Sequence, residues 1–312
     1  MHKIIPDSDS TLRNLTSGQI NELEMHSFIN LLNVIYSQLE LLLLDNEHNL
    51  DLHNALAHTR RLLGEARNDS LNDFFLQQVR EFKNLIRGTL HALEKRIVGE
   101  KALAEVCEAR ALLEQTFLVL DDRLEELNLR LPKGDEWHET SVDAFRNEFE
   151  AYFKTQEKNS RGRFRIVMDD KREQEKDYLI LTDIKTVYGK TIIMPLLFKD
   201  VIRDLVSNAR KYTPPGGTIR MKLRQKDGLL RFLVSDTGIG IPEDELPMVF
   251  EYGYRATNAE SIRTMGGGFG LTKALHVVRQ FRGNLFIESE PDNGTTITIE
   301  LPIPEVVQTR YN

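Results

Sequence analysis

Between Ile20 and Leu127 apolar residues recur every three or four positions, the spacing that lines them along one face of an α-helix. The first run extends from about Ile20 to Leu44 and ends in a polar turn, DNEHN, at Asp45–Asn49. Helical spacing continues around Asn54–Arg96, where Leu71, Phe74, Phe75, Val79, Phe82, Leu85, Ile86, Leu90, Leu93 and Ile97 fall on one continuous stripe. Another stripe passes through Leu103, Val106, Leu113, Phe117, Leu120, Leu124 and Leu127. Proline is absent from Thr11 to Leu131, and glycine there is limited to Gly18, Gly64, Gly88 and Gly99. About four helices in an all-α bundle are predicted.

The segment LPKGD at Leu131–Asp135 interrupts this pattern with proline and glycine, which places a domain boundary there and divides the chain into residues 1–132 and 133–312. A helix over Val142–Phe153 follows. The period then changes to alternation in RFRIVMD (163–169), DYLILTD (177–183), TIRMKLR (218–224) and LLRFLVSD (229–236), each a strand signal. Helices are expected at Leu196–Lys211 and Leu271–Phe281, and NLFIESE with TTITIEL reads as a hairpin turning at Pro291–Gly294. The second half is therefore an α/β sandwich, one layer of helices on a mixed sheet. No internal repeat and no low-complexity tail is visible.

Composition narrows the field. A chain of 312 residues suits two domains, each with its own core. The net charge of -7 argues against broad attraction to nucleic acid or to an anionic membrane. The longest apolar run, Leu41–Leu44, falls far short of the roughly 18 residues that span a bilayer. A single cysteine, Cys107, cannot build a disulfide framework, and the N-terminus lacks a secretory pattern, so a cytoplasmic protein is expected.

Three segments carry candidate chemistry. In DLVSNARKYT, Asp204, Asn208 and Lys211 are spaced by four and three, so one helix face presents all of them. The amide oxygen of Asn208 suits magnesium, a hard cation that takes few protein ligands beside phosphates. Lys211 supplies positive charge, and Asp204 can accept a hydrogen bond from a water or a protonated nucleophile. In DTGIGIP, Asp236 ends a strand where it can accept the exocyclic amino group of adenine, while Gly238 and Gly240 allow close backbone approach to the base. Adenine is preferred over guanine, which presents a carbonyl there. In GGGFGLT, Gly266, Gly268 and Gly270 open a helix whose N–H groups and partial positive charge suit phosphate oxygens. Taken singly, each segment also reads as ordinary: a solvated helix face, a turn, a flexible loop.

In this order the segments resemble the ATP-binding domain of the GHKL superfamily, which includes Hsp90, type II topoisomerases and MutL, over about Leu196–Pro302. Asn208 corresponds to the N-box, DTGIGIP to the first glycine box, FEYGYR (250–255) to the F-box and GGGFGLT to the second glycine box; the closing SEPDNGTTITIELP is similar to the end of sensor histidine kinases. The resemblance implies ATP and magnesium as cofactors, with Asn208 on the metal, Lys211 and Arg255 on phosphate, Tyr212 and Leu271 at the pocket, Asp236 on adenine and Thr295 beside it. It also implies an ATP lid between Arg255 and Gly266. Histidine kinases often carry asparagine where this chain has Asp204, whereas ATP-hydrolysing relatives carry a carboxylate.

Upstream, His26, Asn30, Asn33, Ser37 and Glu40 form a polar stripe on the first helix. Imidazole is largely neutral and nucleophilic near neutral pH, which suits phosphoryl transfer. The run HSFINLLNVI resembles the H-box of histidine kinases, implying His26 as phosphoacceptor and Asn30 as the residue that orients water in a phosphatase reaction. Ser27 departs from the acid that the family usually has next to its histidine. The expected protein is an ATP-dependent histidine kinase, a homodimer, that passes phosphate from His26 to an aspartate of a response regulator receiver domain. Two other readings stand beside it: a nucleotide-binding scaffold or inhibitor of another kinase, favoured by Ser27, and a GHKL ATPase switch, favoured by Asp204.

Overall fold

The computed structural model describes residues 2–4, 15–68, 73–97, 99–130, 137–160, 162–168, 174–260, 262 and 268–311. They divide into two compact units, Thr16–Gly134 and Asp135–Asn312, the second of which also takes in Met1–Leu15. The breaking segment expected at 131–135 lies outside the described residues.

The first unit consists of α1 (Ser17–Leu44), α2 (Leu50–Asn68), α3 (Asp73–Arg96) and α4 (Glu100–Arg130). α1 begins where Thr16 and Gln19 form a capping box: the Gln19 N–H donates to Thr16 Oγ1 at 3.2 Å, and the Thr16 N–H to Gln19 Oε1 at 2.8 Å. α2 follows the expected turn, its Leu52 N–H donating to Asn49 Oδ1 at 3.0 Å. Each helix packs against two neighbours, α1 on α2 and α4, α3 on α2 and α4, so the four close a ring. The apolar stripes meet inside it, with Phe28, Leu32, Ile35, Val79, Phe82 and Phe117 buried. Sequential helices run antiparallel, as ion pairs between opposite ends show: Arg67 with Glu22 at 3.9 Å, Arg110 with Glu94 at 2.8 Å, and Lys83 with Asp121.

The second unit contains β1 (His2–Ile4), β2 (Trp137–Ser141), α5 (Val142–Asn159), β3 (Ile166–Val167), β4 (Tyr178–Thr186), β5 (Thr191–Pro195), α6 (Leu196–Tyr212), β6 (Thr218–Lys226), β7 (Leu229–Asp236), α7 (Gly270–Gln280), β8 (Asn284–Glu290), β9 (Gly294–Pro302) and α8 (Glu305–Tyr311). Seven of the strands form one sheet in the order β1-β8-β9-β7-β6-β4-β3, while β2 and β5 pair separately. β4 lies parallel to β6 and to β3; the other neighbours are antiparallel. The alternation read from the sequence is the pleat itself. Ile219, Met221 and Leu223 of β6 and Leu230, Phe232 and Val234 of β7 point inward, against Phe198, Val201 and Leu205 of α6.

Three strands escape the sequence reading. β1 is only three residues long, and β5 is a continuous apolar run, buried from Ile192 on, that leads straight into α6. β2 starts at Trp137, whose ring meets Phe281 edge-on at 6.2 Å. In RFRIVMD only Ile166 and Val167 enter the ladder.

β5 is fixed from beneath by a buried polar residue. Gln225 accepts the Ile193 N–H at 3.0 Å and donates to the Ile193 carbonyl at 2.6 Å, so one side chain satisfies both backbone groups of a buried residue. Gln225→Ala strands both groups away from water, and a loss of about 2–4 kcal/mol is expected in urea unfolding of the chain. A loss below about 0.5 kcal/mol would show that β5 does not depend on this bridge.

Candidate functional site

α6 is two-faced because its apolar positions turn toward the sheet, which leaves Asp204, Asn208 and Lys211 partly exposed on another side. Asp204 is not free on that face. Its Oδ2 accepts a hydrogen bond from Lys273 Nζ of α7 at 2.9 Å, and Asp200 Oδ2 stands 3.8 Å from the same nitrogen. Lys273 is 1% exposed and Asp200 2%, so a buried ammonium is matched by carboxylates one helical turn apart. Neither residue stands out in the sequence: Lys273 follows the glycine box like any helix lysine, and only the packing of α7 on α6 pairs it with acids.

Lys211 belongs to the same electrostatic field. Burial pushes its ammonium below the ordinary lysine range, Asp204 opposes that shift, and Arg255 adds to it. Three of the charged groups expected at the triphosphate are therefore close enough to act on one another. Arg255 itself donates from Nη2 to the carbonyls of Ala259 at 3.0 Å and Ile262 at 3.2 Å, so its guanidinium holds the backbone at the start of the expected lid. Of that lid, residues 261 and 263–267 lie outside the described residues, and Gly266 with them.

At the end of β7, Asp236 Oδ1 accepts the N–H of Gly238 at 2.8 Å and that of Thr295 at 3.3 Å. Burial outweighs these two hydrogen bonds and raises the carboxyl pKa to about 6. Thr295 thus reaches Asp236 through its backbone, while its hydroxyl lies 2.8 Å from the buried Ser289 Oγ. Ser289 also accepts the Ile241 N–H at 2.9 Å, a support for the first glycine box that sequence reasoning missed. The box is tied to α6 as well, since the Ile239 N–H donates to the Tyr212 carbonyl at 3.0 Å.

The glycines sit where backbone passes close to backbone. Gly240 has φ +66°, and a Cβ there would lie 1.9 Å from the Glu290 carbonyl oxygen; at Gly238 it would lie 2.5 Å from that of Tyr212. Gly270 opens α7 against Asn208, whose Nδ2 is 2.9 Å from the place a Cβ would occupy, and Gly268 lies against the Tyr254 carbonyl in the same way. Leu271 packs on the core. The start of α7 therefore stands beside Asn208 and Asp204. Glu245 anchors the opposite rim, accepting from Tyr254 Oη at 2.8 Å, from the Thr257 N–H at 2.8 Å and from the Thr257 hydroxyl.

In the helical unit, His26 lies within α1, and its side chain is outside the described residues. Asn30, Asn33, Ser37 and Glu40 of its stripe are exposed, and Phe28, Ile29, Leu32, Ile35 and Leu39 are buried behind them.

The donor set suits a purine nucleotide. A half-buried carboxylate with backbone partners opens the first glycine box, and Asn208 of α6 lies against the N-terminus of α7. Lys273→Met is expected to cost about 3–5 kcal/mol in denaturant unfolding, because it takes the cation from the half-buried Asp204 and leaves the buried Asp200 with Arg203 in its place. Adding Asp200→Asn and Asp204→Asn should restore most of that loss; a single variant as stable as the wild type would refute the pairing. Asp236→Asn removes a carboxyl whose folded pKa lies above the ordinary 3.8. The ionised form is thus disfavoured in the fold, and the carboxyl costs stability above about pH 6 and nothing below about pH 4. The variant's thermal midpoint should exceed that of the wild type at pH 8 and converge with it at pH 4.

Comparison with known proteins places this geometry. Residues 194–305 match the family described as histidine kinase-, DNA gyrase B- and HSP90-like ATPases. The sensor-like histidine kinase SenX3 of Mycolicibacterium smegmatis is 36% identical over 39% of this chain and 32% of its own length. For the sensor histidine kinase Hik2 of Thermosynechococcus vestitus the identity is 39% over 34% of this chain and 28% of its own. A mycobacterial sensor histidine kinase structure, MprB, superposes with a TM-score of 0.38 at 22% identity, covering 53% of this chain and 96% of that one. This chain thus spans about a third or less of the length of these curated relatives. The matched stretch, residues 194–305, is the one that holds Asp204, Asn208, Lys211, Asp236 and the glycines at the start of α7.

Proposed function

We propose that the chain is an ATP-dependent protein histidine kinase that phosphorylates His26 and passes the phosphoryl group to an aspartate in the receiver domain of a response regulator. The observation that carries this reading is one chain holding both a nucleotide site of the ATPase family and, on α1, the HSFINLLNVI helix with its exposed polar stripe. Bound ATP with magnesium supplies the phosphoryl group and offsets its charge. Asn208 would hold the metal, Lys211 and the N-terminal turn of α7 the phosphates, and Asp236 the adenine amino group. In the transfer, the imidazole of His26 forms a P–N bond as the bond from the γ-phosphorus to its bridging oxygen breaks; ADP leaves and the ring proton passes to solvent. Asn30 is placed to orient water in dephosphorylation of the regulator. Among the described residues no helix is long and apolar enough to cross a membrane, and a cytoplasmic setting is part of the proposal.

The ATPase-switch reading draws its support from Asp204, a carboxylate where ATP-hydrolysing relatives carry one. With Oδ2 bound to Lys273, Asp204 is better suited to fixing α7 against α6 than to abstracting a proton. Asp204→Asn should therefore lower thermal stability more than it lowers turnover.

Incubation with γ-labelled ATP tests the proposal. The protein should acquire label that is acid-labile and alkali-stable, lost in His26→Gln and reduced roughly 100-fold or more in Asn208→Ala. Free phosphate without labelled protein would overturn the kinase reading in favour of hydrolysis, and bound ATP without either product would favour a scaffold. Ser27→Glu, which supplies an acid beside the imidazole, is expected to raise the initial rate of labelling.

A further inference from the structure

Ser289 belongs to a hydrogen-bond chain whose direction follows from counting protons. It is wholly buried on β8, and its cross-strand neighbour on the same face of the sheet is Thr295 of β9. Thr295 in turn lies beside Asp236, one position past the pair Ser235 and Thr296. A serine hydroxyl has one proton to give. Three groups surround that of Ser289: the Ile241 N–H at 2.9 Å, which only donates; the Gly294 carbonyl at 3.0 Å, which only accepts; and Thr295 Oγ1 at 2.8 Å, which can do either. With the Ser289 proton on the Gly294 carbonyl, the Thr295 hydroxyl donates to Ser289 and all three contacts are hydrogen bonds. With that proton on Thr295 instead, the Gly294 carbonyl oxygen faces a lone pair in a buried place. The first arrangement makes one bond more, so it is the stable one. It spends the Thr295 proton inward, and Thr295 Oγ1 offers only lone pairs to anything that approaches from the site.

We propose that Ser289 is a positioning residue that makes the Thr295 hydroxyl a fixed acceptor, so that the base end of the site selects a 6-aminopurine and rejects a 6-oxopurine. This rests on Asp236 as the adenine contact, as set out above. Asp236 Oδ1 takes the N–H groups of Gly238 and Thr295, and among the described residues Oδ2 accepts none. Asp236 Oδ2 and Thr295 Oγ1 are thus two acceptors on neighbouring strands, matching the two N–H bonds of one amino group. The carbonyl of a 6-oxopurine meets lone pairs at both. The carboxylate alone discriminates less, because the ring N–H beside that carbonyl can replace the amino donor on Asp236. A threonine free to rotate would then donate to the carbonyl and accept either base. Ser289 removes that freedom from a place no ligand touches.

Calorimetry on the full chain at pH 8, where a carboxyl of pKa about 6 is ionised, tests this with the magnesium complexes of adenosine diphosphate and inosine diphosphate. The two differ only at the 6-substituent and the adjacent ring nitrogen, and neither has a γ-phosphoryl group to transfer. Wild-type protein should bind the adenosine form at least about 30-fold more tightly. Ser289→Ala frees the Thr295 hydroxyl to donate, and the preference should shrink about 5- to 10-fold, chiefly because the inosine form gains. Thr295→Val leaves the Ser289 bonds to Gly294 and Ile241 in place, so it reads the same preference even where Ser289→Ala does not fold. It should weaken the adenosine form and spare the inosine form, and adding Ser289→Ala to it should change the preference no further. Equal affinity for both nucleotides in the wild type, one common factor of weakening in Ser289→Ala, or an untouched preference in Thr295→Val would each overturn the proposal while leaving the nucleotide site standing. Absence of binding by the wild type overturns the nucleotide site itself, and the preference with it.

Discussion

A buried ammonium cannot stand without opposite charge, and Lys273 imposes that condition on the whole nucleotide site. Its nitrogen lies between Asp200 and Asp204, both on α6, so α7 can pack only where those carboxylates reach it. That placement brings Gly270 against Asn208 and Asp204. The meeting of the α7 N-terminus with the polar face of α6 is thus a by-product of satisfying one lysine. Asp200 is held in turn by Arg203 at 3.0 Å, and Arg203 pairs with Glu148 of α5, which extends the same chain of charges to the next helix.

The opposite end of the site obeys a different rule. Among the described residues Asp236 meets two backbone N–H groups and no cation, and burial lifts its pKa to about 6. Two aspartates of one pocket are therefore separated in character by their neighbours. Asp204 stabilises an interface between helices, whereas Asp236 keeps an unsatisfied preference for a donor that a purine amino group can meet. The sheet fixes the second arrangement, because Asp236 and Thr295 sit at the ends of adjacent strands β7 and β9.

Much of this was legible in the residue pattern. Long helices announced themselves by spacing, inner strands by alternation, and the glycine boxes by motifs whose neighbours proved to be carbonyl oxygens. What stayed hidden depends on contacts distant in the chain. Lys273 and Ser289 look ordinary until α7 and β8 are packed, and Gln225 is an unremarkable strand residue until β5 lies over it. β5 itself is buried on both sides and so lacks the alternation that marks a half-exposed strand.

The three-residue strand β1 changes how the second unit is put together. His2–Ile4, which precede the four helices in sequence, pair with β8 in the seven-stranded sheet, and the described residues of that unit resume after the helices at Trp137. The unit is thus assembled from two separate stretches of sequence. β1 lies along the outer side of β8, so backbone groups of Ile287–Ser289 that would otherwise stand open at a sheet edge, where a strand of another chain could add, already have a partner.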